Sequence, residues 1–161
     1  MNFKEIFKED YLFTSKSHAR VNLIGEHTDY TGGYVMPSLL NFNTTIQISK
    51  NSIKKYQVYS ENFNEKKEFN DFIKSKDNNW IDYIKGCLFV FYDENKHIPN
   101  THLNIFITST IPMGRGISSS SALCVAILKV LNNCFETQYS DKHIAILAQK
   151  VERNYIGVSG G

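Results

Sequence analysis

Ile111-Pro-Met-Gly-Arg-Gly-Ile-Ser-Ser-Ser-Ser-Ala122 restricts the fold more than any other stretch, because it joins two segments of different periodicity. Upstream, His102-Leu-Asn-Ile-Phe-Ile-Thr108 is short, β-branched and aromatic with partial alternation, which predicts a strand ending near Ser109. Downstream, Ala122, Leu123, Ala126, Ile127, Val130 and Leu131 recur at three- and four-residue spacing, so a helix is expected to begin inside the serine run. Strand, tight loop and helix N-terminus together collect unpaired backbone N–H groups and the positive end of the helix dipole, where an anion can supply the missing partners. Gly114 and Gly116 allow positive φ and close approach to phosphate oxygens. The hydroxyls of Ser118, Ser119, Ser120 and Ser121 add donors and an oxygen ligand for a metal. The loop lacks the Gly-Lys-Ser/Thr ending of a Walker loop, and Ser119 stands where a dinucleotide turn needs its third glycine. By itself it reads equally as a serine-rich cap on an ordinary helix.

The remaining elements follow from local pattern. Residues 3 to 10 suit a short helix and Tyr11 to Thr14 a short strand, and Ala19-Arg-Val-Asn-Leu-Ile24 reads as a strand that stops at Gly25. Extended segments at Asn43 to Lys50, Lys54 to Ser60 and Lys66 to Asn70, separated by turns, predict an antiparallel meander. From Asn79 the period changes, with Trp80, Tyr83, Ile84, Cys87, Leu88 and Phe91 on one helical face. A last helix is expected from a Ser140-Asp141 cap, carrying Ile144, Ala145, Leu147, Ala148 and Val151. Strands first and helices afterwards predict an α+β domain.

At 161 residues the chain suits one domain, and 42% hydrophobic with 13% aromatic content supports a folded core. Eighteen basic and sixteen acidic residues, net +2, offer no argument for nucleic acid or a membrane surface. Cys87, Cys124 and Cys134 are too few and too scattered for a disulfide framework or zinc site and read as buried thiols. No stretch approaches the roughly 18 apolar residues of a membrane span, and the N-terminus lacks a signal-peptide core, so a cytoplasmic protein is expected.

Three places offer chemistry beyond the loop. Glu152 extends the spacing of Ala145 and Ala148 and falls at the edge of a buried stripe. It is either an exposed border residue or a carboxylate paired with a serine hydroxyl to hold Mg²⁺. Arg20 interrupts an apolar strand, where its planar fork suits phosphate, or it faces solvent on a half-buried strand. Glu26, His27 and Asp29 put two acceptors and an imidazole within four residues, a set that grips sugar hydroxyls or a metal, or simply forms a polar turn.

Arg20-Val-Asn-Leu-Ile-Gly-Glu-His-Thr-Asp-Tyr30, followed by Thr-Gly-Gly, closely resembles the galactokinase signature. Pro112-x-Gly-x-Gly-Ile-Ser-Ser-Ser120 resembles the ATP loop of the wider GHMP small-molecule kinases, and Glu152 with Gly157 resembles the helix and turn after it. Trp80-Ile-Asp-Tyr83 is similar to a segment near the family's adenine pocket. The resemblance implies an N-terminal GHMP-kinase domain over residues 1–161, ribosomal-protein-S5-domain-2-like, with a mixed, mostly antiparallel sheet and helices on one face. It implies transfer of phosphoryl from ATP, with Mg²⁺, to the anomeric hydroxyl of galactose. By position, Arg20 stabilises the transferring group and Glu26, His27, Thr28 and Asp29 bind the sugar. Gly114, Arg115, Gly116, Ile117, Ser118, Ser119, Ser120 and Trp80 hold the nucleotide, and Ser120 with Glu152 holds the metal. The chain departs from the pattern at His18-Ala19, where Pro-Gly is usual, at Arg115, and at Ser121, where a small apolar residue is common. The family's catalytic aspartate and C-terminal half fall beyond Gly161, so the 161 residues by themselves are expected to phosphorylate no galactose. A kinase for N-acetylgalactosamine or another sugar, or a non-catalytic sensor of galactose and ATP, are the alternatives.

Overall fold

The strand that runs into the serine loop lies at the centre of the sheet. In the computed structural model, which describes residues 1–25, 28, 31–76, 79–112, 114 and 116–158, β5 (Leu103–Ser109) is flanked on both sides. The other strands are β1 (Phe13–Ile24), β2 (Met36–Lys50), β3 (Tyr56–Ser60) and β4 (Glu65–Phe69), in the order β1-β2-β5-β3-β4. Three pairings are antiparallel and β3 with β5 is parallel, so the expected mixed, mostly antiparallel sheet is present. The simple meander is not. β5 returns after a helix and inserts between β2 and β3, and the first five residues of β5 and all of β3 are buried. Strands covered on both faces belong inside a sheet, where each side chain finds a packing partner. The two short N-terminal strands predicted from sequence are one twelve-residue strand, β1, whose pairing with β2 runs to Ile24↔Met36.

One face of the sheet carries the main core. Ile46, Ile48, Val58, Leu103, Ile105 and Ile107 pack against α2 (Trp80–Glu94), α3 (Ser119–Phe135) and α4 (Asp141–Lys150). The three thiols are free and buried. The opposite face is covered by α1 (Phe3–Phe7), three residues shorter than the expected 3 to 10, which sets Phe3 against Tyr59 and Phe106. A capping box between Asn2 and Glu5 starts this helix and a left-handed Lys8 stops it. Beyond it the same face is polar: Asn104 donates to the Glu9 carboxylate at 2.7 Å, and Ser49 donates to the same oxygen. No helix among the described residues is long and apolar enough to cross a membrane.

Candidate functional site

After Ser109 the chain is held by backbone pairing of Thr110 with Asn43, and Ile111 turns inward against Ala19 and Ala122. Among its described residues the loop then passes through left-handed Gly114 (φ 69°), Gly116 (φ 65°) and Ser118 (φ 58°). Among the described residues a Cβ on either glycine would meet nothing within 4 Å, so it is the left-handed backbone and not crowding that favours glycine here. α3 starts at Ser119, inside the serine run as predicted, and its N-cap residue, Ser118, makes no side-chain capping bond. Ser118 in the left-handed region cannot present its hydroxyl to the first turn, and Ser120 and Ser121 point elsewhere. Among the described residues the first amides of α3 have no side-chain cap, and the helix dipole makes them suited to an external acceptor.

What draws those hydroxyls away is Glu152. Ser120 Oγ donates to Glu152 Oε1 at 2.6 Å, and Ser121 Oγ lies 3.0 Å from Oε2 and 3.2 Å from Oε1. The side chain is 3% exposed, and a carboxylate so buried needs such donors to replace lost water. The sequence predicted one helix running through this residue. Instead α4 passes at Val151 into a π-helical turn, Val151–Ile156, which closes with Gly157 N–H on the Glu152 carbonyl at 2.9 Å. Gly157 is left-handed (φ 86°) and ends the turn. π-Turns recur where a side chain must be aimed off the regular helical stripe. The charge is felt nearby: burial raises the Tyr83 phenol, and the Glu152 carboxylate raises it further. Among the described residues no group of three His, Cys, Asp or Glu side chains lies together. One carboxylate and neighbouring hydroxyls suit a hard cation that shares its coordination with phosphate and water.

A cavity of about 320 Å³ opens beside this pair. Ser119 and Ser120 lie at one end, and Tyr83, Leu123, Ile107, Phe63 and Trp80 supply its apolar walls. Trp80 is stacked on Phe63 (centroids 5.5 Å, 14°), and its indole N–H donates to Glu65 at 3.0 Å. Asn62 continues the β3–β5 ladder with its side chain, accepting from the Ser109 amide at 2.9 Å and donating to the Ser109 carbonyl at 2.8 Å. Sequence reasoning found Trp80, named Ser121 among the loop hydroxyls without its bond to Glu152, and missed Asn62 and Phe63. These last two lie in a segment with the composition of a plain turn, and nothing local shows that it faces α2.

The second region is built on β1. Its register with β2 shifts between His18 and Arg20, a bulge of the kind that re-aims side chains beside active sites. Ala19 packs with Ile111 and Ala122 at the two ends of the loop, and Arg20 is the residue after it on β1, although Arg20 is not among the residues lining the cavity. Glu26, His27, Asp29 and Arg115, all predicted site residues, lie outside the described residues. Thr28 has its hydroxyl within 3.1 Å of the Gly25 carbonyl and 3.0 Å of the Tyr34 carbonyl, so in this structure it braces the turn. A Cβ on Gly25 (φ 90°) would come within 2.4 Å of the Tyr34 oxygen.

The galactokinase galactose-binding signature matches residues 1–50, and the GHMP kinases N terminal domain matches residues 82–161. The galactokinase of Pyrococcus furiosus is 45% identical over 148 residues, covering 92% of this chain and 41% of that protein. The chain belongs to the galactokinase family. The galactokinase of Fusobacterium nucleatum is 36% identical over 165 residues, covering 99% of this chain and 42% of its own length. The chain thus spans about two-fifths of the curated relatives it matches. Lactococcus lactis galactokinase, solved with galactose, superposes with a TM-score of 0.87 at 34% identity, over 99% of this chain and 42% of that one. The mevalonate kinase of Methanococcus jannaschii, at 22% identity over 91% of this chain and 47% of its own with a TM-score of 0.77, shares the fold. Within this galactokinase-family chain, Arg20 and Thr28 fall in the first matched region and the serine loop and Glu152 in the second. Asn62, Phe63 and Trp80 lie in the segment between them.

Proposed function

We propose that these residues form the N-terminal lobe of a galactokinase, which transfers the terminal phosphoryl group of ATP to the anomeric hydroxyl of galactose. The observation that carries this reading is the convergence of Ser120, Ser121 and Glu152 at the uncapped start of α3, beside a cavity walled by Trp80 and Phe63. The nucleobase enters that cavity, and the phosphates lie along the loop from Gly114 through Arg115, Gly116, Ile117, Ser118 and Ser119 to Ser120. Open amides there neutralise charge without reorganising, which is the main requirement of phosphoryl transfer. Ser120 and Glu152 would hold Mg²⁺, which when bound supplies positive charge to the phosphate oxygens. Arg20 meets the transferring group from the β1 side. Glu26, His27 and Asp29 orient the sugar hydroxyls, and Thr28 holds the turn that carries them. The general base and the far wall of the cleft belong to a C-terminal lobe, and a cytoplasmic setting goes with ATP as donor.

Incubating a protein that joins these residues to a C-terminal lobe with Mg·ATP and galactose should release ADP and give galactose 1-phosphate in a phosphorus NMR spectrum, whereas the 161 residues by themselves should give none. Galactose binding without any ADP release would leave a sensor. Phosphorylation of N-acetylgalactosamine in preference to galactose would move the substrate elsewhere in the sugar kinases.

A further inference from the structure

The hydroxyl of Ser121 makes two contacts to one buried carboxylate, Glu152. The two oxygens of Glu152 are not equivalent. Oε1 receives the short bond from Ser120 at 2.6 Å and a longer one from Ser121 at 3.2 Å. Among the described residues, the side-chain donor to Oε2 is Ser121, at 3.0 Å. Ser120 and Ser121 are consecutive, about 100° apart around α3, so they reach the carboxylate from different sides and define its plane. The carboxylate is attached to a π-helical turn, and at 3% exposure it has almost no water to fall back on.

We propose that Ser121 is a positioning residue for the divalent cation: by holding Oε2 it fixes the carboxylate plane so that Oε1 stays in register with the Ser120 hydroxyl. The inference rests on the assignment of Ser120 and Glu152 to the cation and deepens it by adding a residue which does not itself touch the metal. A buried acceptor that loses its donor must find another or rotate, and rotation of this carboxylate moves Oε1 away from Ser120. Donors behind a metal-ligating carboxylate characteristically change metal affinity by about 10- to 100-fold when removed.

The test measures Mn²⁺ binding by electron paramagnetic resonance in the intact protein saturated with ADP, for the wild type, Ser121→Ala and Ser121→Thr, with thermal unfolding of each. Ser121→Ala should weaken Mn²⁺ binding on the order of tenfold, and Ser121→Thr, which keeps the hydroxyl, should restore most of it. The ADP dissociation constant measured without metal should stay the same, because Ser121 contacts the carboxylate and not the phosphates. Equal or tighter Mn²⁺ binding by a folded Ser121→Ala protein overturns the proposal and leaves the cation site standing. If Ser121→Thr binds as weakly as Ser121→Ala, side-chain packing and not the hydroxyl sets the affinity, and the proposal fails. Wild-type protein that binds ADP but no Mn²⁺ refutes the cation site itself, and with it this role.

Discussion

Two serine hydroxyls take the place of water around Glu152, and that substitution makes a carboxylate tolerable in the interior. Glu152→Gln keeps the shape but leaves a single acceptor oxygen and a neutral group. The variant should lose about 1–2 kcal/mol in urea unfolding, while Mn²⁺ binding in the presence of ADP should fall well beyond tenfold. An unchanged metal affinity would remove Glu152 from the cation site. Asp82 shows the same logic without a functional role. Burial would push its carboxyl up, but bonds from the Ser75 hydroxyl and amide and from the Asn79 amide outweigh this and leave it below its ordinary 3.8. A lowered folded value stabilises the fold above the unfolded pKa, and that stabilisation is lost as pH falls through the folded value. Urea unfolding from pH 6 down to pH 2 should therefore fall more steeply in the wild type than in Asp82→Asn. Parallel curves would assign acid sensitivity to other groups. Glu152 was legible in the sequence as a carboxylate at the border of a stripe. Its second serine was not, because whether Ser121 faces a partner depends on where another helix passes.

α2 and the π-helical turn meet at Gly86, where an added Cβ would lie 2.7 Å from a ring carbon of Tyr155 and 3.0 Å from a methyl of Val151. Two effects compete in Gly86→Ala. Helix propensity favours alanine by about 1 kcal/mol, whereas overpacking costs about 1–3 kcal/mol. The second should win, because Tyr155 is also tied through its hydroxyl to the Phe72 carbonyl and cannot swing freely. A net loss of roughly 1 kcal/mol is expected, with weaker Mn²⁺ binding as the turn carrying Glu152 is pushed away. A more stable Gly86→Ala protein would show that the contact yields. The period of Trp80, Tyr83, Ile84 and Cys87 made α2 readable in advance. The π-turn was hidden, since its closure rests on Gly157 and on the Lys74 ammonium donating to the Ile156 carbonyl at 2.5 Å, a contact across 82 positions of sequence.

At the scale of the whole molecule, the cavity brings together β2, β5, the turn after β3 and the first turns of α2 and α3, and a ligand there should tie them into one unit. Trp80, the single tryptophan of these 161 residues, lines it and serves as a reporter. Mg·ATP should change the Trp80 fluorescence of the intact protein, with the change lost in Trp80→Phe, and nucleotide at a hundred times its dissociation constant should add about 2.7 kcal/mol of stability. A nucleotide that stabilises the protein without altering that signal would lie elsewhere. From the residue pattern alone came the strand–loop–helix around the serines, the α+β class, the buried thiols and the kinship of the two motifs. All of these depend on neighbours within a few positions, where dihedral preference and hydrophobic period act. The insertion of β5 between β2 and β3, the stacking of Phe63 on Trp80 and the capture of Ser121 by Glu152 were decided only in three dimensions. Each joins segments whose approach is fixed by packing the sheet against its helices, and no local spacing records which side chains that packing will bring face to face.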